Sequence, residues 1–140
     1  MAQKVSELMT SAPVTLRSAQ TLTEAAKAMR EHGIGAVLVV DDGGDLRGMV
    51  TDRDIVVRAI ADERDPRQTP VADVSSPDLV VVSPNDDADI AIQNMRERGV
   101  RRVPVVDQGR AVGILSLGDM AIERDERSAL ADVSAQKPNV

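Results

Sequence analysis

Apolar residues recur along this chain at two spacings. Leu22, Ala25, Ala26 and Met29 stand at i, i+3, i+4 and i+7, the stripe of an amphipathic helix, and Ala88, Ala91, Ile92 and Met95 repeat it. Thr21-Leu22-Thr23-Glu24 opens the first helix as a capping box, in which Thr21 and Glu24 each satisfy an orphan backbone N–H. Asp87 is the corresponding N-cap of the second. Gly33 and Gly99 close the two helices as left-handed C′ residues. Elsewhere the apolar residues run together as strands. Ala36-Val37-Leu38-Val39-Val40 pairs with a strand ending at Met49-Val50-Thr51 across the turn 41–45. Residues 103–106 and 112–116 form a second hairpin across Asp107-Gln108-Gly109-Arg110. Short extended pieces, Val14-Thr15-Leu16 and Val80-Val81-Val82, precede the helices. Further helices open at residues 52–54 and 117–119.

These two sets of elements are one pattern written twice. Residues 5–41 align with 71–107, 66 positions on, so that Met29-Arg30-Glu31 falls on Met95-Arg96-Glu97 and Gly33 on Gly99. One residue is lost in the turn. Gly48 then meets Gly113, Thr51 meets Ser116 and Asp54 meets Asp119. The expected fold is α+β: two tandem β-α-β-β-α repeats packed as a pseudo-two-fold pair, because a repeat of this size is a weak independent folder. Residues 1–62 form the first repeat, 63–70 a polar linker holding Pro66 and Pro70, 71–127 the second repeat and 128–140 a flexible tail.

Composition narrows the function. Apolar residues make up 42% of the 140 residues, enough for a core, yet Phe, Trp and Tyr are absent, so aliphatic side chains and Met must fill it. The missing aromatics and a net charge of −6 argue against a nucleic-acid binder. The lack of Cys removes disulfides and thiolate metal sites, and a single His leaves no Ser-His-Asp set and no metal-ligand spacing. Gly43-Gly44 is a turn outside any phosphate-loop spacing. No apolar leader or membrane-length apolar run is present, and a cytoplasmic protein is expected. His32, in the last helical turn, complements the helix dipole, Met29 and Met95 are core residues, and the mixed charges of 122–127 form a solvated face.

The remaining chemistry sits where each hairpin hands over to a helix. Thr51 with Asp54, and Ser116 with Asp119, place a hydroxyl and a carboxylate three residues apart. A helix N-terminus suits phosphate, and one carboxylate can accept both hydroxyls of a ribose. The same residues also serve as N-caps and first-turn acids, and both readings stand at this point. Arg101 and Arg102 have guanidinium forks that match phosphate oxygens, or form a solvated surface. Gly35 and Ala36 replace them in the first repeat, and Leu38 replaces Pro104, so the two halves are chemically unequal.

The segments GMVTDRDI (48–55), GVRRVPVVD (99–107) and GILSLGDM (113–120) resemble the CBS domain, and the pair resembles a Bateman module of the small stand-alone bacterial type. The resemblance covers residues 5–125. It implies a regulatory module without catalysis that binds AMP, ADP, ATP or S-adenosylmethionine in clefts between the repeats. The implied contacts are Thr51, Asp54, Ser116 and Asp119 for sugar and phosphate. An adenine slot would be formed by Val14-Thr15 and Val80-Val81, with Ala36-Val37 and Arg102-Val103-Pro104 opposite, and Arg101 and Arg102 would hold phosphate. It also implies a homodimer and an effector protein that receives the signal, with no metal, nucleic acid or membrane partner. The alternative is a protein-interaction module with no small ligand.

Overall fold

The computed structural model describes residues 3–76 and 79–117. In chain order the elements are helix α1 (Val5–Leu8), strand β1 (Thr10–Ser11), β2 (Thr15–Arg17), α2 (Leu22–His32), β3 (Ala36–Val40), β4 (Leu46–Thr51) and α3 (Asp52–Asp54). A π-helical turn (Ile55–Ile60) continues α3, and a 3-10 turn (Val71–Asp73), α4 (Ala88–Arg98), β5 (Arg102–Asp107) and β6 (Arg110–Ser116) complete them. The fold class is α+β, as expected.

The elements gather into two compact units. One holds residues 14–76, the other residues 3–13 with 80–117. Each unit therefore takes its opening segment from the other repeat. In the 14–76 unit, β2 pairs parallel with β3 and β3 antiparallel with β4, giving the order β2-β3-β4. Segment 71–76 joins this sheet through an antiparallel bridge between Ser76 and Met49. In the other unit the order is β1-β6-β5, with Thr10 opposite Ile114 on β6.

The borrowed segments are held by matching bonds. Val71 N–H donates to Gln20 O and Ala72 N–H to Ser18 O. At the equivalent places Val5 N–H donates to Asp86 O and Ser6 N–H to Pro84 O. These segments and the linker also satisfy the orphan donors of the long helices. Leu22 N–H reaches Thr69 O and Thr23 N–H reaches Pro66 O, while Glu24 N–H reaches Thr21 Oγ1, the predicted cap. Ala88 N–H reaches Gln3 O, and Asp89 N–H reaches Oδ1 of Asp87. Gly33 and Gly99 both have φ 63°, the left-handed C-caps expected of them.

Each unit has its own core, and the two correspond position by position. One comprises Leu16, Leu22, Ala25, Met29, Val37, Val39, Val50, Val71 and Val74, with Ala59 added. The other comprises Val82, Ala88, Ala91, Met95, Val103, Val105, Leu115, Val5 and Leu8 in the same order. Ala26, read as part of the helical stripe, is exposed, so the buried face of α2 is narrower than the spacing predicts.

One difference between the sheets has a local cause. Leu38 N–H donates to Val14 O, and β2 runs for three residues beside β3. Pro104 occupies the place of Leu38 and has no N–H. The second edge strand is thereby reduced to the single bridge between Val82 and Val105.

Candidate functional site

Parallel β2 and β3 begin where antiparallel β4 finishes, so the residues expected to line a slot meet at one end of the sheet. Ala36 faces Thr51 across the β3–β4 pair, Val37 faces Val50, and Val14 flanks β3 through its carbonyl. Asp52 N–H donates to Gly35 O at 3.0 Å and closes this corner. Val37 and Ala36 are buried and Val37 belongs to the core, so its side chain is spent on packing. Val14 is half-buried and Thr15 exposed.

Thr51 and Asp54 lie at this end and bind each other. Thr51 N–H donates to Asp54 Oδ2 at 2.9 Å, and Asp54 N–H donates to Thr51 Oγ1 at 3.1 Å. This is a capping box at the start of α3, so the structural role foreseen for these residues is real. It does not exhaust them. The Thr51 hydroxyl uses only a lone pair and keeps its proton, and Asp54 Oδ1 has no partner among the described residues. Both side chains are half-buried. The arrangement offers one O–H donor and one acidic acceptor side by side at the end of an apolar sheet.

The second unit builds the same corner from different residues. Arg102 faces Ser116 across β5 and β6, and Leu117 N–H donates to Arg101 O at 2.8 Å. Val82 N–H donates to Pro104 O and Val106 N–H to Val82 O, which brings Val80 and Val81 beside β5. Val103 and Pro104 are buried, Val80 packs against the core, and Val81 is exposed. Arg101 is exposed and Arg102 half-buried, and neither has an ion pair among the described residues. Asp119 lies outside the described residues, as do 122–127.

The opposite end of the β2-β3-β4 sheet carries a depression of about 480 Å³ lined by Arg17, Ser18, Gln20, Thr21, Glu24 and Asp41 among others. Most of its charged and polar side chains already have partners. Arg17 pairs with Asp42 at 3.1 Å, Gln20 Oε1 accepts from Arg17 N–H, and Thr21 and Glu24 cap α2. Beside it, the Asp45 N–H and then the Arg47 guanidinium hold the Asp41 carboxyl below its ordinary range. None of the expected site residues lies there. Sequence reasoning did miss Gly35, whose carbonyl fixes the corner. Its equivalence to Arg101 is the only sequence signal for that role.

The CBS domain model matches residues 5–60 and 71–125. The CBS domain-containing protein YhcV of Bacillus subtilis is 43% identical over 136 residues, covering 94% of this chain and 96% of its own. Hypoxic response protein 1 of Mycobacterium tuberculosis is 38% identical over 116 residues, covering 83% of this chain and 81% of its own. A crystal structure of Hypoxic Response Protein I with two coordinated zinc ions superposes with TM-score 0.78 at 35% identity, over 85% of this chain and 97% of that one. The CBS domain pair of protein MJ0100, in complex with 5′-methylthioadenosine and S-adenosyl-L-methionine, superposes with TM-score 0.82 at 25% identity, over 91% of this chain and all of that one (100%). Among the described residues of this chain no group of three His, Cys, Asp or Glu could hold a metal, and no helix is long and apolar enough to cross a membrane.

Proposed function

The chain belongs to the CBS domain family, and from that premise we propose that it is a non-catalytic sensor of a cytoplasmic adenosine-containing ligand. The candidates are AMP, ADP, ATP and S-adenosylmethionine. The observation that carries the reading is the Thr51–Asp54 corner: a half-buried carboxylate with an unused oxygen beside a hydroxyl, at the end of an apolar sheet. A ribose supplies two adjacent O–H donors to that oxygen, and the adenine lies against Val14 and Ala36. The complex of MJ0100 with two adenosyl compounds supports this class of ligand. Sensing requires that the ligand bind two packing states of the protein unequally.

Thermal unfolding followed by circular dichroism tests this in a chain without tryptophan. A ligand confined to the native state stabilises it by about 2.7 kcal/mol at 100 times its Kd. A rise in Tm with at least one adenine compound is expected, reduced by Asp54→Asn. No rise with AMP, ATP, 5′-methylthioadenosine or S-adenosylmethionine at millimolar concentration would leave the interaction-module reading in its place. A specific observation favours that second reading too: Val56, Val57 and Ile60 expose 59%, 46% and 52% of their surface on the turn that follows Asp54. We propose that a second copy of the chain covers this face and that an effector protein reads the assembly. Light scattering showing only a 15.0 kDa species would refute the dimer.

A further inference from the structure

We propose that residues 3–13 pass between two copies of the chain, so that the opening segment of each copy docks on the 80–117 part of the other in a reciprocal, segment-swapped dimer. The proposal concerns how copies associate and does not depend on a ligand.

Segment 71–76 is continuous, through the linker, with the 14–76 unit that it completes. Residues 3–13 are placed differently. The whole 14–76 unit stands in the chain between them and the residues they pack against. Their contacts there are extensive. Val5 and Leu8 are two of the nine buried residues of that core. Val5 and Ser6 N–H donate to Asp86 and Pro84 O, Gln3 O accepts from Ala88 N–H, and Thr10 and Ser11 pair with Ile114 and Gly113 on β6. A core built around these side chains cannot leave their place empty, but the same contacts form whichever copy supplies them. A closed swapped pair keeps all of them and requires no new surface.

The link to the rest of the chain favours exchange. Ser11 is paired with Gly113, and Val14 O accepts from Leu38 N–H, which leaves Ala12 and Pro13 to carry the chain from one unit to the other. Ala12 has φ 51°, in the left-handed region that a residue with a Cβ adopts at a cost. Pro13 biases the residue before it toward extended backbone. Exchange opens the link into extended backbone and releases this strain, and a short strained hinge favours swapping over closure.

The chain has no Cys, so an engineered disulfide reports whose segment sits where. Thr10 faces Ile114 in an antiparallel pair, where Cα atoms stand about 4.5–5.5 Å apart, within disulfide reach. The full chain carrying Thr10→Cys with Ile114→Cys is refolded from urea at several concentrations, oxidised, and run on a non-reducing denaturing gel. A bond within one copy runs as monomer, and a bond between copies as dimer. Covalent dimer beyond that of either single variant, rising with protein concentration, is expected. Monomer alone at every concentration would overturn the exchange. Ala12→Gly needs no disulfide. It relaxes the closed link and should weaken dimerisation about tenfold by light scattering. Absence of any dimer would overturn the exchange. A dimer that Ala12→Gly leaves unchanged would also overturn it, while association through the Val56 face survives.

Discussion

Gly113 and Asp41 are the residues whose roles can be tested alone. A Cβ at Gly113 would lie 2.9 Å from Thr10 O and 2.5 Å from Met9 Sδ, whereas one at Gly48 would lie 3.0 Å from Ser75 Oγ. Both glycines let a borrowed segment cross the last strand of a hairpin, but only at Gly113 does backbone stand inside 3 Å. Gly113→Ala should therefore cost about 1–3 kcal/mol in urea unfolding, and more than Gly48→Ala. Equal costs would show that β1 yields freely. Asp41 accepts from the N–H groups of Gly43 and Asp45 and from Arg47. Its carboxyl is held below the ordinary 3.8, chiefly by the Asp45 N–H. A lowered folded value means stability that is complete above the ordinary value and lost as pH falls through the lowered one. Asp41→Asn should flatten the decline in stability between about pH 5 and pH 2, and an unchanged acid limb would contradict this.

At the scale of elements, Pro104 decides where a strand stops. Pro104→Leu restores the donor that Leu38 uses toward Val14 O. The new bond adds about 1 kcal/mol, offset in part by the looser unfolded chain. Slow hydrogen exchange at the amide of residue 104 is the expected sign, and exchange at the rate of a surface loop would contradict it. Much at this scale was legible beforehand. The capped helices, both hairpins and the paired cores follow from apolar spacing and from the 66-residue repeat. The exchange of opening segments was not. Thr10–Ser11 is too short to show a period, and its partner on β6 is chosen by tertiary packing. The hint was Val5 and Leu8 recurring as Val71 and Val74 outside the β-α-β-β-α pattern. The π-helical turn carries no sequence signal of its own. The candidate corner was found through Thr51 and Asp54, while the carbonyl of Gly35 that completes it is invisible in a sequence because backbone groups have no letter.

For the molecule as a whole, duplication is the fact that gives the chemistry its form. Two units with matching cores present matching corners, and the corners differ in their side chains: Ala36 stands against Arg102, and Thr51 against Ser116. The cores differ as well, with Leu22 in the place of Ala88 and Val50 in that of Leu115, and each exchange keeps the position apolar. Thr51 and Asp54 thus serve the fold, as a capping box, and the proposed recognition at once. The account depends most on the claim that the Thr51–Asp54 corner receives a ribose. A crystal structure of the full chain grown with 5′-methylthioadenosine tests it most directly. Ribose hydroxyls within about 3 Å of Asp54 Oδ1, with the capping bond from Thr51 N–H to Oδ2 retained, is the predicted result. Ordered ligand elsewhere on the protein, with the Asp54 corner empty, would contradict it.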